Sequence, residues 1–142
     1  WAYSLTGVYN KENWIADMDA ERWMKYCYYA DDPQVLDQIR SRIAALDLQL
    51  EMTNSDPRNL ELNPPGVNKA TGLREICQLI GCRMEEVVAV GDSLNDMAMI
   101  REAGLGVAMG NAQDAVKAAA AVIAPTNEED GVAEVIRQYL LN

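Results

Sequence analysis

The stretch that most restricts this chain is Val87-Val88-Ala89-Val90-Gly91-Asp92-Ser93-Leu94-Asn95-Asp96. A short apolar, β-branched run suits a strand buried on both faces, as in a parallel sheet covered by helices. The run ends on a glycine and an acid. An asparagine and a second acid follow where a helix opens. A parallel strand stopping there delivers Asp92 to the carboxyl edge of the sheet, where α/β folds bind ligands. The sequence around it repeats the theme. Predicted strands at 87–90, 106–108 and 122–124 alternate with predicted helices at 69–80, 94–103 and 112–119. A last helix would carry Val132, Val135, Ile136, Tyr139 and Leu140 on one face. Gly81 and Gly104 read as helix stops, and Thr126-x-x-Glu129 as a capping box. Alternation of this kind implies βαβ units and a parallel sheet, hence an α/β fold.

The first half is different. Residues 1–30 alternate loosely and hold most of the aromatics, with strands expected at 2–9 and 25–29. Asp31-Asp32-Pro33 reads as an acidic cap with proline in the first turn. The helix behind it would show Val35, Leu36, Ile39, Ile43 and Leu46 on one face. Strands are expected at 48–53 and 60–62, separated by the turn cluster Asn54-Ser55-Asp56-Pro57-Arg58-Asn59. The segment Asn63-Pro64-Pro65-Gly66 is the natural boundary, giving expected domains 1–63 and 64–142.

Composition narrows the partners. With 12 basic and 22 acidic residues in 142, the net charge is -10. Nucleic acids and anionic membranes select for Lys and Arg clusters, so neither is an expected partner. A small phosphorylated metabolite needs only one or two local cations. No apolar run approaches a membrane span, and no signal peptide is visible. The three cysteines have no metal-ligand spacing, which suits free thiols in a cytoplasmic protein. With no histidine, His triads, His metal sites and His bases are all excluded.

The candidate chemistry lies in four residues. Asp92 is placed to ligate magnesium, which takes hard oxygens, keeps most of its waters and is satisfied by one or two carboxylates plus a phosphate. Asn95 could donate its amide to a phosphate oxygen, and Asp96 could support the metal through a water or orient Asn95. Lys69 opens the 69–80 helix, where a cation is unfavourable by about 0.3–1 kcal/mol unless an anion is near. Each has an ordinary structural use as a cap, a first-turn acid or a solvated lysine. Their joint spacing is what points to phosphate chemistry. Ala108-Met109-Gly110-Asn111-Ala112 suits a tight turn with Asn111 as helix N-cap.

These residues resemble a known family. Gly91-Asp92-Ser93-Leu94-Asn95-Asp96 is similar to the fourth motif of haloacid dehalogenase (HAD) superfamily hydrolases. Asn68-Lys69-Ala70 with Gly72, its Lys69 standing 23 residues ahead of Asp92, resembles the third motif as spaced in the Cof-like branch, subfamily IIB. Ala108–Ala112 and residues 127–133 look like that branch's later landmarks. The resemblance implies a Rossmann-like core plus part of an α/β cap. It implies magnesium on Asp92 with Asp96 behind it, phosphate contacts from Lys69 and Asn95, and a catalytic charge on Lys69. The activity implied is hydrolysis of phosphomonoesters of small metabolites through an aspartyl-phosphate. The family's Asp-x-Asp-Gly-Thr nucleophile motif has no match; Asp17-Met18-Asp19-Ala20 has only the acid spacing. The expectation is therefore a C-terminal portion, inactive alone, completed by an N-terminal half of the same protein or by self-association. Two other readings stay open: a non-catalytic α/β binding or oligomerising module, and a phosphomutase of the same superfamily.

Overall fold

The computed structural model describes residues 25–141. The strand expected at 2–9 and the acids Asp17 and Asp19 lie outside them.

The first part is an antiparallel sheet with one helix. Strand β1 (Tyr26–Tyr29) leads to helix α1 (Pro33–Ala44), then β2 (Glu51–Thr53) and β3 (Asn59–Asn63). The sheet order is β1-β3-β2, so β3 is central and antiparallel to both neighbours. Asp32 caps α1 as expected, its Oδ1 accepting from Gln34 N at 2.9 Å. Leu36 of α1 packs on Leu60 and Leu62 of β3, with Ile39, Ile43 and Met52 around them. The helical stripe is narrower than its sequence suggests. Val35 is exposed, and Leu46 lies past the last turn in water. On the other face of β3, Asn59 and Glu61 are buried too.

The second part is a parallel sheet in the order β4-β5-β6. Helix α2 (Lys69–Ile80) precedes β4 (Val88–Gly91), and a 3-10 turn at Leu94–Asp96 runs into α3 (Met97–Glu102). Then come β5 (Leu105–Ala108), α4 (Asp114–Ala119), β6 (Val122–Ile123) and α5 (Gly131–Tyr139). Helix α2 has the predicted bounds, with Asn68 capping its start and Gly81 in the left-handed region at φ 76° ending it. The helix predicted over 94–103 is divided, because its first turn is pulled into a 3-10 bend.

Val107, Ala108, Ile100, Met109, Val116 and Val135 form the core of this part. Helix α3 lies so close to the sheet that a Cβ on Gly106 would stand 1.9 Å from the Ile100 carbonyl oxygen. Burial on both faces, expected for β4, is found instead in β5. Val88 and Val90 are only half-buried, because β4 has a partner on one edge alone among the described residues. Two predicted apolar stripes are also partly open. Ile76 and Ile80 of α2 and Val132 and Ile136 of α5 are exposed, while Cys77 and Val135 are buried. The three thiols are free, as expected. No helix among the described residues is long and apolar enough to cross a membrane.

Candidate active site

Asp92 follows the last residue of β4 and is exposed at the carboxyl edge of the sheet. The chain then bends so that Asp96 folds back beneath it. Asp96 Oδ2 accepts from Asp92 N at 3.0 Å and from Ser93 N at 3.2 Å. Its Oδ1 accepts from Lys69 Nζ in a close ion pair. The Asp96 side chain is only 5% exposed, against 49% for Lys69, so the carboxylate is the inner partner. This fold-back explains Gly91: a Cβ there would lie 2.4 Å from Asp96 Cβ. Lys69 opens α2 against an unfavourable dipole, and Asp96 supplies the anion that offsets it. The structure thus brings Lys69, Asp92 and Asp96 together from two elements.

Asp92 itself has weak partners. Ser93 Oγ lies 3.2 Å from Oδ1, and Asn111 Nδ2 donates to Oδ2 at 3.5 Å. The expectation that Asn111 caps the next helix is corrected here. The turn after β5 is longer than the sequence suggests, and Gln113 is the N-cap of α4. Asn111 is freed to bridge, its Oδ1 accepting from Asn127 N at 3.0 Å while its amide reaches Asp92. Gln113 N bonds the Asp92 carbonyl at 3.0 Å, so the turn is tied to the same loop.

Asn95 is held from the other sheet. Its backbone N–H donates to the Asn54 carbonyl at 3.2 Å. Its Oδ1 is buried without a hydrogen-bond partner. Its side chain lies against Glu61, which the sequence reading passed over. In Leu60-Glu61-Leu62 the alternation marks Glu61 as facing water, yet its side chain is 5% exposed. It accepts from Lys25 Nζ at 2.7 Å and from Ser55 Oγ at 2.6 Å. Burial pushes the Glu61 carboxyl up, but hydrogen bonds from Lys25 and Ser55, the Lys25 charge and the Asn95 amide outweigh it and hold it below the usual range.

Lys25, Thr53, Glu61, Lys69 and Asn95 line one cleft of about 190 Å³ between the two sheets. A larger hollow of about 490 Å³ lies by the hairpin sheet, but its walls are mainly apolar, from Tyr26, Tyr28, Leu46 and Leu62. Glu61, Lys25, Lys69 and Asn95 make the smaller cleft the polar one, and Lys69 links it to Asp96.

The donor set fits magnesium. Asp92 offers a hard, exposed carboxylate whose present partners are neutral and long. No cluster of three or more acids or thiols that could hold a metal occurs among the described residues. Magnesium takes one or two carboxylates and completes its shell with water and phosphate oxygens.

Residues 3–136 match the family model of the haloacid dehalogenase-like hydrolases. The chain belongs to this family. It is 44% identical over 141 residues to the 5-amino-6-(5-phospho-D-ribitylamino)uracil phosphatase YcsE of Bacillus subtilis (strain 168), across 99% of this chain and 56% of that protein. It is 40% identical over 108 residues to the 5-amino-6-(5-phospho-D-ribitylamino)uracil phosphatase YbjI of Escherichia coli (strain K12), across 76% of this chain and 39% of that one. The structure of the HAD subclass IIB sugar phosphatase BT4131 superposes with a TM-score of 0.78 at 25% identity, over 87% of this chain and 46% of that one. The Rossmann-like α/β core expected from the sequence is thus the fold observed. The chain spans about half the length of the curated relatives it matches, 56% in the case of YcsE.

Proposed function

We propose that this chain carries the metal- and phosphate-binding side of a magnesium-dependent phosphatase acting on a small phosphorylated metabolite. The observation that carries it is the convergence of Lys69, Asp96 and Asp92 at the carboxyl edge of β4. Residues 64–142 would form the core portion and 1–63 part of a cap. A polyol or sugar phosphate is the substrate class, and 5-amino-6-(5-phospho-D-ribitylamino)uracil the first candidate. Both phosphatases named above, from Bacillus subtilis and Escherichia coli, support that choice.

The geometry supports a role for each residue. Lys69 presents a cation to the phosphoryl oxygens, and Asp96 fixes where that cation stands. Asp96 also holds the Asp92 and Ser93 amides, which sets the direction of the Asp92 carboxylate. Asp92 would hold magnesium, which when bound offsets charge on the transferring phosphoryl group. Asn95 would present an amide N–H to the same oxygens. The group that attacks phosphorus is not assigned to any described residue.

The test is Asp92→Asn in the full-length protein, with p-nitrophenyl phosphate as substrate in magnesium and in EDTA. Magnesium-dependent turnover by the parent and its loss in the variant are expected. Unchanged magnesium-dependent activity in the variant would remove Asp92 from the metal site.

A further inference from the structure

A carboxylate in the middle of a central strand is costly to bury unless it is fully partnered. Glu61 is partnered on every side. Lys25 and Ser55 donate to it, and Thr53 Oγ1 stands 3.5 Å away. Leu60 and Leu62, on the opposite face of β3, already supply the packing for the hairpin sheet. The acid is therefore not needed for that core, and it faces the loop that holds Asp92.

Two routes lead from Glu61 to that loop. Ser55 gives its hydroxyl to Glu61, and its carbonyl accepts from Ser93 Oγ at 3.3 Å. Next to it, the Asn54 carbonyl accepts from Asn95 N. The second route is direct: Asn95 and Glu61 line the same cleft, and the Asn95 amide is among the groups that hold the Glu61 carboxyl low. An asparagine amide has an oxygen end and an N–H₂ end of nearly the same shape. Against a carboxylate only the N–H₂ end is tolerable, since the reverse sets oxygen on oxygen. The Asn95 oxygen is buried and has no partner, which agrees with the N–H₂ end being the one turned to the carboxylate.

We propose that Glu61 is a positioning residue for Asn95 and the 93–96 loop, fixing the amide so that one N–H is held and the second is left for the substrate phosphate. This rests on the phosphatase reading above. The hairpin sheet then contributes to the reacting end of the cleft as well as to its roof.

The test uses the full-length protein, with steady-state kinetics and thermal melting measured on the same samples. Glu61→Gln is expected to lower kcat about a hundredfold, the scale of a small misplacement of a reacting group. KM should change little, any drop in melting temperature should leave the variant folded at the assay temperature, and Glu61→Asp should recover part of the rate. Wild-type kcat in Glu61→Gln overturns the proposal, as does a fall that only follows loss of folded protein. If Glu61→Gln does not fold, Ser55→Ala takes its place. A lowered kcat at unchanged melting then supports the proposal, and wild-type kcat overturns it. Should the parent protein hydrolyse no phosphomonoester, the phosphatase reading fails separately. The inference is then read from the Asn95 side-chain amide resonance, identified by its loss in Asn95→Asp. A shift of that resonance in Glu61→Gln supports the positioning role, and an unmoved resonance overturns it.

Discussion

The two sheets bury polar groups in opposite ways. In the parallel sheet the central strand β5 is apolar, with Val107 and Ala108 fully enclosed, and the buried polar side chains Ser93 and Asp96 appear only past the strand end. In the hairpin sheet the central strand itself buries Asn59 and Glu61 beside Leu60 and Leu62. Crossover helices cover both faces of a parallel strand, so its polar chemistry is displaced to the carboxyl edge. An antiparallel strand has one face for its helix and one to spare. Here the spare face looks onto the 93–96 loop instead of water. Alternating polarity thus locates a second surface without saying what covers it.

The sharpest way to break this comparison is to remove charge from each side in turn. Lys69→Met in the full-length protein is expected to lower kcat about 10²–10³-fold, the usual scale for a group that stabilises developing negative charge. Lys25→Met, which strips only the outer partner of Glu61, should cost less. Equal losses in steady-state assays would mean that the hairpin sheet is as catalytic as the parallel one.

Packing gives the next largest effects. Leu60→Ala empties the centre of the hairpin core and should destabilise by about 2–5 kcal/mol in chemical denaturation. Gly106→Ala drives a methyl into the Ile100 carbonyl and should destabilise by about 1–3 kcal/mol or more, with no cavity to relax into. If Gly106→Ala proves neutral, the close approach of α3 to β5 is wrong.

Acid sensitivity comes next. Glu61 is held below the usual carboxyl range in the folded chain. Its contribution to stability is fully present above its unfolded pKa, about 4.3 for glutamate, and is lost as pH falls through the lower folded value. Glu86 and Glu129 act in the same direction, each held low by a backbone N–H, from Arg83 and Thr126. Melting below about pH 4.3 should therefore steepen in the parent protein and flatten in Glu61→Gln. Parallel curves would show that Glu61 is not ionised by its surroundings. The smallest effect belongs to Thr126→Ala. It deletes a hydroxyl 2.8 Å from Glu129 Oε2 and should cost about 1 kcal/mol in the same denaturation assay.

What could be read in advance divides along the same line. Helix α2, its Asn68 and Gly81 ends and the Thr126–Glu129 cap depend on neighbours a few residues apart, and these were legible. So was the delivery of Asp92 by β4, because a strand end and a helix start are both local signals. Glu61 was not, because the groups that hold it include Lys25 and Asn95, each more than thirty positions away. Asn111 was misread for a related reason. Its preference for helix caps is real, but Asp92 and Asn127 compete for the same side chain and win. The open stripes of α2 and α5 show the reverse case. Ile76, Ile80, Val132 and Ile136 have the right spacing for a buried face, but spacing cannot say whether a second layer is there to meet it.

Ser93 has one hydroxyl proton and two acceptors within reach, the Ser55 carbonyl at 3.3 Å and Asp92 Oδ1 at 3.2 Å. Both bonds cannot be complete at once. While the hydroxyl points to the hairpin turn, Asp92 Oδ1 is relieved of it. If the turn withdraws, the hydroxyl turns to Asp92 and occupies one of its lone pairs. The serine therefore arbitrates between two claims on one hydrogen, and ties the hairpin turn at residue 55 to the carboxylate at residue 92.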